Sequence, residues 1–138
     1  MIGHRDAVRV SQDACAGKKA KFLAEVKDQF ISEKKRVVIF DRTNMAVADR
    51  KDCIDLARCV SCVIGADITV ELVHFDVSMN TLQRRLAGRV THEGNFPRDA
   101  ARAVPALAKL CSRYEPATLA EGFAAVHCVF CLPVGFAG

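Results

Sequence analysis

Val37-Val38-Ile39-Phe40-Asp41-Arg42-Thr43-Asn44 is the stretch whose reading decides the fold. Its four apolar residues are rich in β-branched types and follow Lys34-Lys35-Arg36, so the run is too short for a helix and predicts a strand buried on both faces. Polar chemistry begins where the apolar run stops. In a parallel α/β sheet, ligands are handled at the carboxyl ends of the strands, so Asp41, Arg42, Thr43 and Asn44 arrive where a site is expected. A structural alternative stands equally open at this point: Asp41 and Asn44 cap the helix that follows.

Working outward, the alternating Val8 and Val10 of Ala7-Val8-Arg9-Val10 predict a short strand near a sheet edge that stops at Ser11-Gln12-Asp13. Between Lys18 and Lys34, the helical spacing of Leu23, Val26 and Phe30, with Lys21, Lys27 and Asp28 off that stripe, predicts an amphipathic helix. Beyond the octet, Cys53, Leu56, Ala57 and Val60 make a second helical stripe that Gly65 ends or follows. Ile68 to Val77 reads as another strand with Val70, Leu72 and Phe75 among its apolar positions, and Leu82, Leu86 and their neighbouring arginines as a short basic helix. That helix with the polar segment Thr91 to Pro97 suits a mobile basic flap, 100–113 a helix that accommodates Pro105, and Val126 to Leu132 a last apolar strand. Four strands separated by helices call for an α/β fold: a parallel sheet with helices on both faces.

The 138 residues suffice for one domain with one core, and 51% hydrophobic against 26% charged residues excludes an intrinsically disordered chain. No apolar run reaches the roughly 18 residues of a membrane span, and Met1 to Asp6 lacks the apolar core of a signal peptide. An intracellular protein, cytoplasmic or nuclear, with no membrane partner is expected. Seven cysteines, an odd number without a secretory signal, point to reduced and mostly buried thiols rather than a disulfide framework. The net charge of +4 permits an anionic partner such as a nucleotide or nucleic acid without requiring one.

Three constellations carry potential chemistry. Asp13 and Asp41 close two strands and share one sheet edge if those strands are parallel, so one can act as a base and the other as a metal partner. Arg85 and Arg89, four apart on one helix with Arg84 just off their face, can grip one anion together and neutralise charge developing on a phosphoryl group. The plainer alternative is a solvated basic face. Cys59-Val60-Ser61-Cys62 and Cys128-Val129-Phe130-Cys131 have the spacing of zinc pairs, but Cys128 and Cys131 fall in a strand pattern, where residues three apart point to opposite faces. No metal site is expected from them.

Taken in order, Val10-Ser11-Gln12-Asp13, the octet with Arg50-Lys51 behind it, Phe75-Asp76-Val77, Arg84-Arg85 and Arg89, Tyr114-Glu115-Pro116 and Glu121-Gly122-Phe123 resemble a known family. It is the P-loop kinase domain of polynucleotide 5'-hydroxyl kinases, tRNA-ligase kinases and zeta-toxin-like proteins. The resemblance implies a P-loop NTPase-like fold and an ATP- and magnesium-dependent phosphotransferase acting on a hydroxyl of a DNA or RNA 5' end or of a small molecule. By the same resemblance, Asp13 is the general base. Asp41, Thr43 and Asn44, with Arg42 among them, form the turn that organises the acceptor side, and Arg85 and Arg89 are lid arginines.

One departure from the family is large. The sequence contains no G-x-x-x-x-G-K-[ST], the loop that cradles nucleotide phosphates, and Gly17-Lys18-Lys19 lies after Asp13 with no glycine-rich loop before it. In the family that loop follows the first, central strand. The expectation is therefore a single domain, truncated at its N-terminus, that keeps acceptor and lid elements but binds ATP poorly and is inactive or weakly active. The alternative is a non-catalytic remnant that binds nucleic acid or nucleotide. Without the central strand, its neighbours either keep unpaired backbone edges or pair directly with each other.

Overall fold

The computed structural model describes residues 6–88 and 100–130. Its elements run β1 (Ala7–Ser11), α1 (Lys19–Ile31), β2 (Val37–Asp41), α2 (Val47–Ile64), β3 (Glu71–Asp76), α3 (Met79–Ala87), α4 (Ala100–Cys111), a single 3-10 turn at Leu119–Glu121 and β4 (Ala125–Phe130). Helix and strand types agree with the periodicity throughout. Gly65 closes α2 in the left-handed region at φ 68°, where a residue without Cβ is unstrained. Of the basic flap, the helix is α3, while Thr91 to Pro97 lies outside the described residues, as do Arg89 and Cys131.

All pairing is parallel, but the strands form two pairs rather than one sheet: β1 with β2, and β3 with β4. Among the described residues no strand joins the two pairs. Within β1–β2 the register sets Ser11 opposite Asp41, and the ladder extends one step further as the Gln12 N–H donates to the Asp41 carbonyl at 3.0 Å. The two carboxylate-bearing turns thus leave the same end of the same parallel pair.

α1 supplies the cover for β1–β2. Phe22 and Val26, four apart on one helix face, are buried with Val10 and Cys15, and Leu23, Phe30, Val38, Phe40 and Leu56 pack around them. The Phe22 and Phe40 rings meet edge-to-face at 4.6 Å. Burying a Phe of this kind contributes roughly 1.5–3 kcal/mol. On the opposite face of β2 Ile39 is 55% exposed, so among the described residues the octet is half-buried, not buried on both faces as its apolar run suggests. Runs of β-branched residues report the strand, but which faces are covered depends on elements elsewhere in the chain.

α2 packs on α1, and α3 on α4. The cysteines correct the expectation of mostly buried thiols: Cys15 is buried and Cys53 and Cys111 half-buried, but Cys59, Cys62 and Cys128 are exposed. Cys59 and Cys62 sit on the solvent side of α2, away from the stripe of Ile54, Ala57 and Val60 that packs inward. Among the described residues no helix is long and apolar enough to cross a membrane.

Candidate functional site

The chain leaves β1 at Ser11 and turns tightly through Gln12–Lys18, held by Cys15, Ala16 and Gly17 N–H bonds to the Gln12 and Asp13 carbonyls. Asp13 is therefore fixed by its backbone while its side chain is exposed and makes no ion pair among the described residues. Its neighbour across the pair is engaged. Arg9, on β1, donates through Nε to Asp41 Oδ2 at 2.7 Å and approaches it through Nη2 at 2.6 Å, both side chains being partly exposed. Neither Asp41 nor Asn44 caps α2: the helix begins at Val47, and the Ala46 N–H is taken by Asp49 Oδ2 at 3.1 Å.

Arg42 turns inward from the end of β2, with its side chain only 10% exposed. It donates to Asp52 at 2.9 Å and lies 3.7 Å from Asp49, so α2 holds it between two carboxylates. Lys19, at the start of α1, reaches the same Asp52 at 2.9 Å and so ties α1, the turn after β2 and α2 together. Burial pushes the Asp52 carboxyl up, but the bonds and charges of Lys19 and Arg42 outweigh it and hold it below the ordinary carboxylate range. Burial, opposed by Arg42 and reinforced by Asp52, pushes the adjacent Cys53 thiol up to about 11, so it stays protonated near neutrality. Two polar atoms here are buried without a hydrogen-bond partner, Arg42 Nε and Asn44 Oδ1.

Thr43 is exposed, and Asn44 adopts φ 48°, the left-handed region that Asn tolerates better than most residues. Its side-chain amide donates back to the Arg42 carbonyl at 3.2 Å. What fixes this turn from outside is Arg50, a residue to which sequence reasoning gave no role. Arg50 is 2% exposed, and its guanidinium donates to the Asn44 and Met45 carbonyls at 3.0 and 3.1 Å, to the Pro116 carbonyl at 3.4 Å, and to Glu121 at 2.8 and 3.2 Å. The Arg50 bond, against some burial and with help from the Thr118 N–H, holds Glu121 below the ordinary carboxylate range. A signal was there to read: Arg50 falls on the same helical stripe as Ile54 and Ala57, and a buried arginine needs a carboxylate.

Arg84 and Arg85 lie in the last turn of α3, exposed and without an ion pair among the described residues. No hydrogen bond or ion pair brings them to Asp13 or to the Asp41–Asn44 turn. The histidines stand apart: His127 pairs with Glu71 at 2.9 Å on the outer face of β3–β4, and His74 stacks on Tyr114 at 5.6 Å between centroids.

A family model described as an AAA domain matches residues 2–116, which take in β1 through α4 and end at Pro116, short of Glu121 and β4. The chain belongs to the AAA domain family. This is a P-loop NTPase-like family of nucleotide-binding, kinase-like domains, in keeping with the parallel α/β architecture. No curated protein matches the chain. Members of the AAA domain family generally bind a nucleotide with magnesium, and the residues described here do not fit that pair. Asp41 is already engaged by Arg9, and Arg42 by Asp49 and Asp52, so neither is free to hold magnesium or phosphate. The sequence also lacks a phosphate-cradling loop.

Proposed function

We propose that residues 1–138 form a single domain that supplies the acceptor side of a phosphotransferase resembling polynucleotide 5'-hydroxyl kinase. By itself it holds ATP weakly and is inactive or nearly so. The observation that carries this reading is Asp13: an exposed carboxylate, free of ion pairs among the described residues, on a backbone-fixed turn beside Asp41 at the carboxyl end of a parallel pair. An acid so placed can accept the proton of a hydroxyl docked against the Asp41–Asn44 turn. Asp41, paired with Arg9, and Arg42, locked on α2, shape that edge. Thr43, exposed, is the turn residue open to an acceptor. The donor side is not encoded in these residues, so no transfer step is assigned to them. An intracellular setting, cytoplasmic or nuclear, suits an acceptor that is a DNA or RNA 5' end.

The test is a titration of the isotope-labelled chain with a short oligonucleotide bearing a 5'-hydroxyl, followed by amide resonances. The reading expects shifts at Asp13 and Thr43 that Asp13→Asn and Thr43→Val diminish. Shifts confined to α3 would contradict it. They would favour the second reading, a non-catalytic nucleic-acid binder, which the exposed and ion-pair-free Arg84 and Arg85 support. That reading extends to Arg89 and expects binding that weakens steeply with salt.

A further inference from the structure

Several residues of the family-like pattern have no assigned part in chemistry: Arg50, Tyr114-Glu115-Pro116 and Glu121. The fold gathers them at one joint. β1–β2 and β3–β4 share no strand pairing, so whatever fixes one half against the other must come from outside the ladders. The segment leaving α4 does this first at Glu115, whose N–H donates to the Met45 carbonyl at 2.8 Å and whose carboxylate accepts the Val47 N–H at 2.8 Å. The second bond satisfies one of the unpaired N–H groups at the start of α2 and places negative charge at the positive end of the helix.

Arg50 completes the joint. Its five N–H donors meet five acceptors, two on the turn after β2 and three on the segment before β4. A buried guanidinium gives up none of these cheaply, because each orphaned group would be left without water. A displacement of Pro116 or Glu121 must then drag Arg50, or strip it of partners, and so pull on the Asn44 and Met45 carbonyls. Asn44, at φ 48°, is the residue whose carbonyl Arg50 grips at 3.0 Å, so loosening that grip frees one end of the turn. A further link across the joint, Arg113 to Asp49 at 3.4 Å, is exposed on the arginine side and contributes little.

We propose that Arg50 is a positioning residue for the Asn44–Met45 turn and that, through Pro116 and Glu121 and beside the bonds of Glu115 to Met45 and Val47, it makes the placement of that turn and of the α3–α4 unit interdependent. The proposal rests on the acceptor-site reading only in giving that turn a functional task. It uses Arg50 as the coupling element because α4 runs directly into Arg113–Pro116, and α3 packs on α4.

The experiment is amide NMR with hydrogen exchange on the whole chain, comparing Arg50→Gln, Arg50→Lys, Glu121→Gln and Glu115→Ala. Arg50→Lys and Glu121→Gln are expected to shift Asn44, Met45 and Val47 on one side and Leu110 to Arg113 on the other. Exchange at Val47 should quicken about tenfold, the equivalent of one ordinary hydrogen bond. Lysine keeps the charge and is expected to restore part of what Arg50→Gln loses. Glu115→Ala alters an exposed side chain and is expected to move Asn44 as well as Val47, so the readout survives if the Arg50 variants do not fold. Changes confined to residues 116–121 in the Glu121 variant, with Asn44 and Leu110 unmoved, would overturn the proposal, as would a Glu115→Ala effect limited to Val47. An oligonucleotide titration on the same samples separates the two ideas: no shift by acceptor in any sample removes the acceptor reading, while the variant pattern alone decides the coupling.

Discussion

β1–β2 and β3–β4 are both parallel pairs in full register, yet they differ in what lies over them. Val10 and Phe40 pack under α1 against Phe22, which is completely buried, whereas Phe75 and Phe130 are 63% and 74% exposed. Val73, Val126 and Val129 share that exposure. The ladder of β3–β4 is the longer of the two, six residue pairs against five. Backbone pairing and side-chain burial are therefore separate achievements. A neighbouring strand satisfies the first, and only a helix on the right face supplies the second.

That contrast can be broken or sharpened by substitution. The largest effect is expected from Phe22→Ala, which opens a cavity under α1 and costs about 3–5 kcal/mol in urea unfolding. A loss below 1 kcal/mol would mean that α1 does not cover β1–β2 as described. Next comes Arg50→Met, which strands Glu121. The expected loss is about 3 kcal/mol, toward the low end for a broken buried pair, because Glu121 Oε2 keeps the Thr118 N–H at 2.8 Å. Such a loss would show that the joint between the halves, and not only the α1 core, holds the domain.

Acid should act more gently, at that joint through Glu121 and at the Lys19–Arg42 contact through Asp52. Glu121 and Asp52 both have folded-state pKa values below their ordinary ones, so the stability they confer is complete above about pH 4.3 and is lost as pH falls through the folded values. Unfolding curves between pH 6 and pH 3 are expected to show this decline. Glu121→Gln should flatten it, and an unchanged slope in that variant would disprove the assignment. Smallest is Phe75→Ser on the exposed face of β3–β4, expected to change stability by no more than about 0.5 kcal/mol. A cost comparable to that of Phe22→Ala would erase the difference between the two halves.

Much of this was legible in the residues. Val8, Val10 and the Val37–Phe40 run marked the first two strands, and Asp13 and Asp41 do leave the same end of a parallel pair. The element types followed from spacing because amphipathic periodicity is a local property. The exposure of Ile39, Phe75 and Phe130 was not legible, because an apolar position states a preference for burial and not whether a cover exists. Nor was the engagement of Arg42, which looks like a free ligand at a strand end until α2 brings Asp49 and Asp52 to it. Arg50 lay between these cases: its place on the stripe with Ile54 and Ala57 was visible, but its partner Glu121 is 71 residues away.

The central claim, that these residues hold an acceptor edge without a donor cradle, meets its most direct test in a calorimetric titration of the purified chain with magnesium-ATP. The account predicts no binding at micromolar nucleotide, because nothing in the sequence replaces the backbone loop and lysine that grip phosphates. Saturable binding with a micromolar Kd would contradict it.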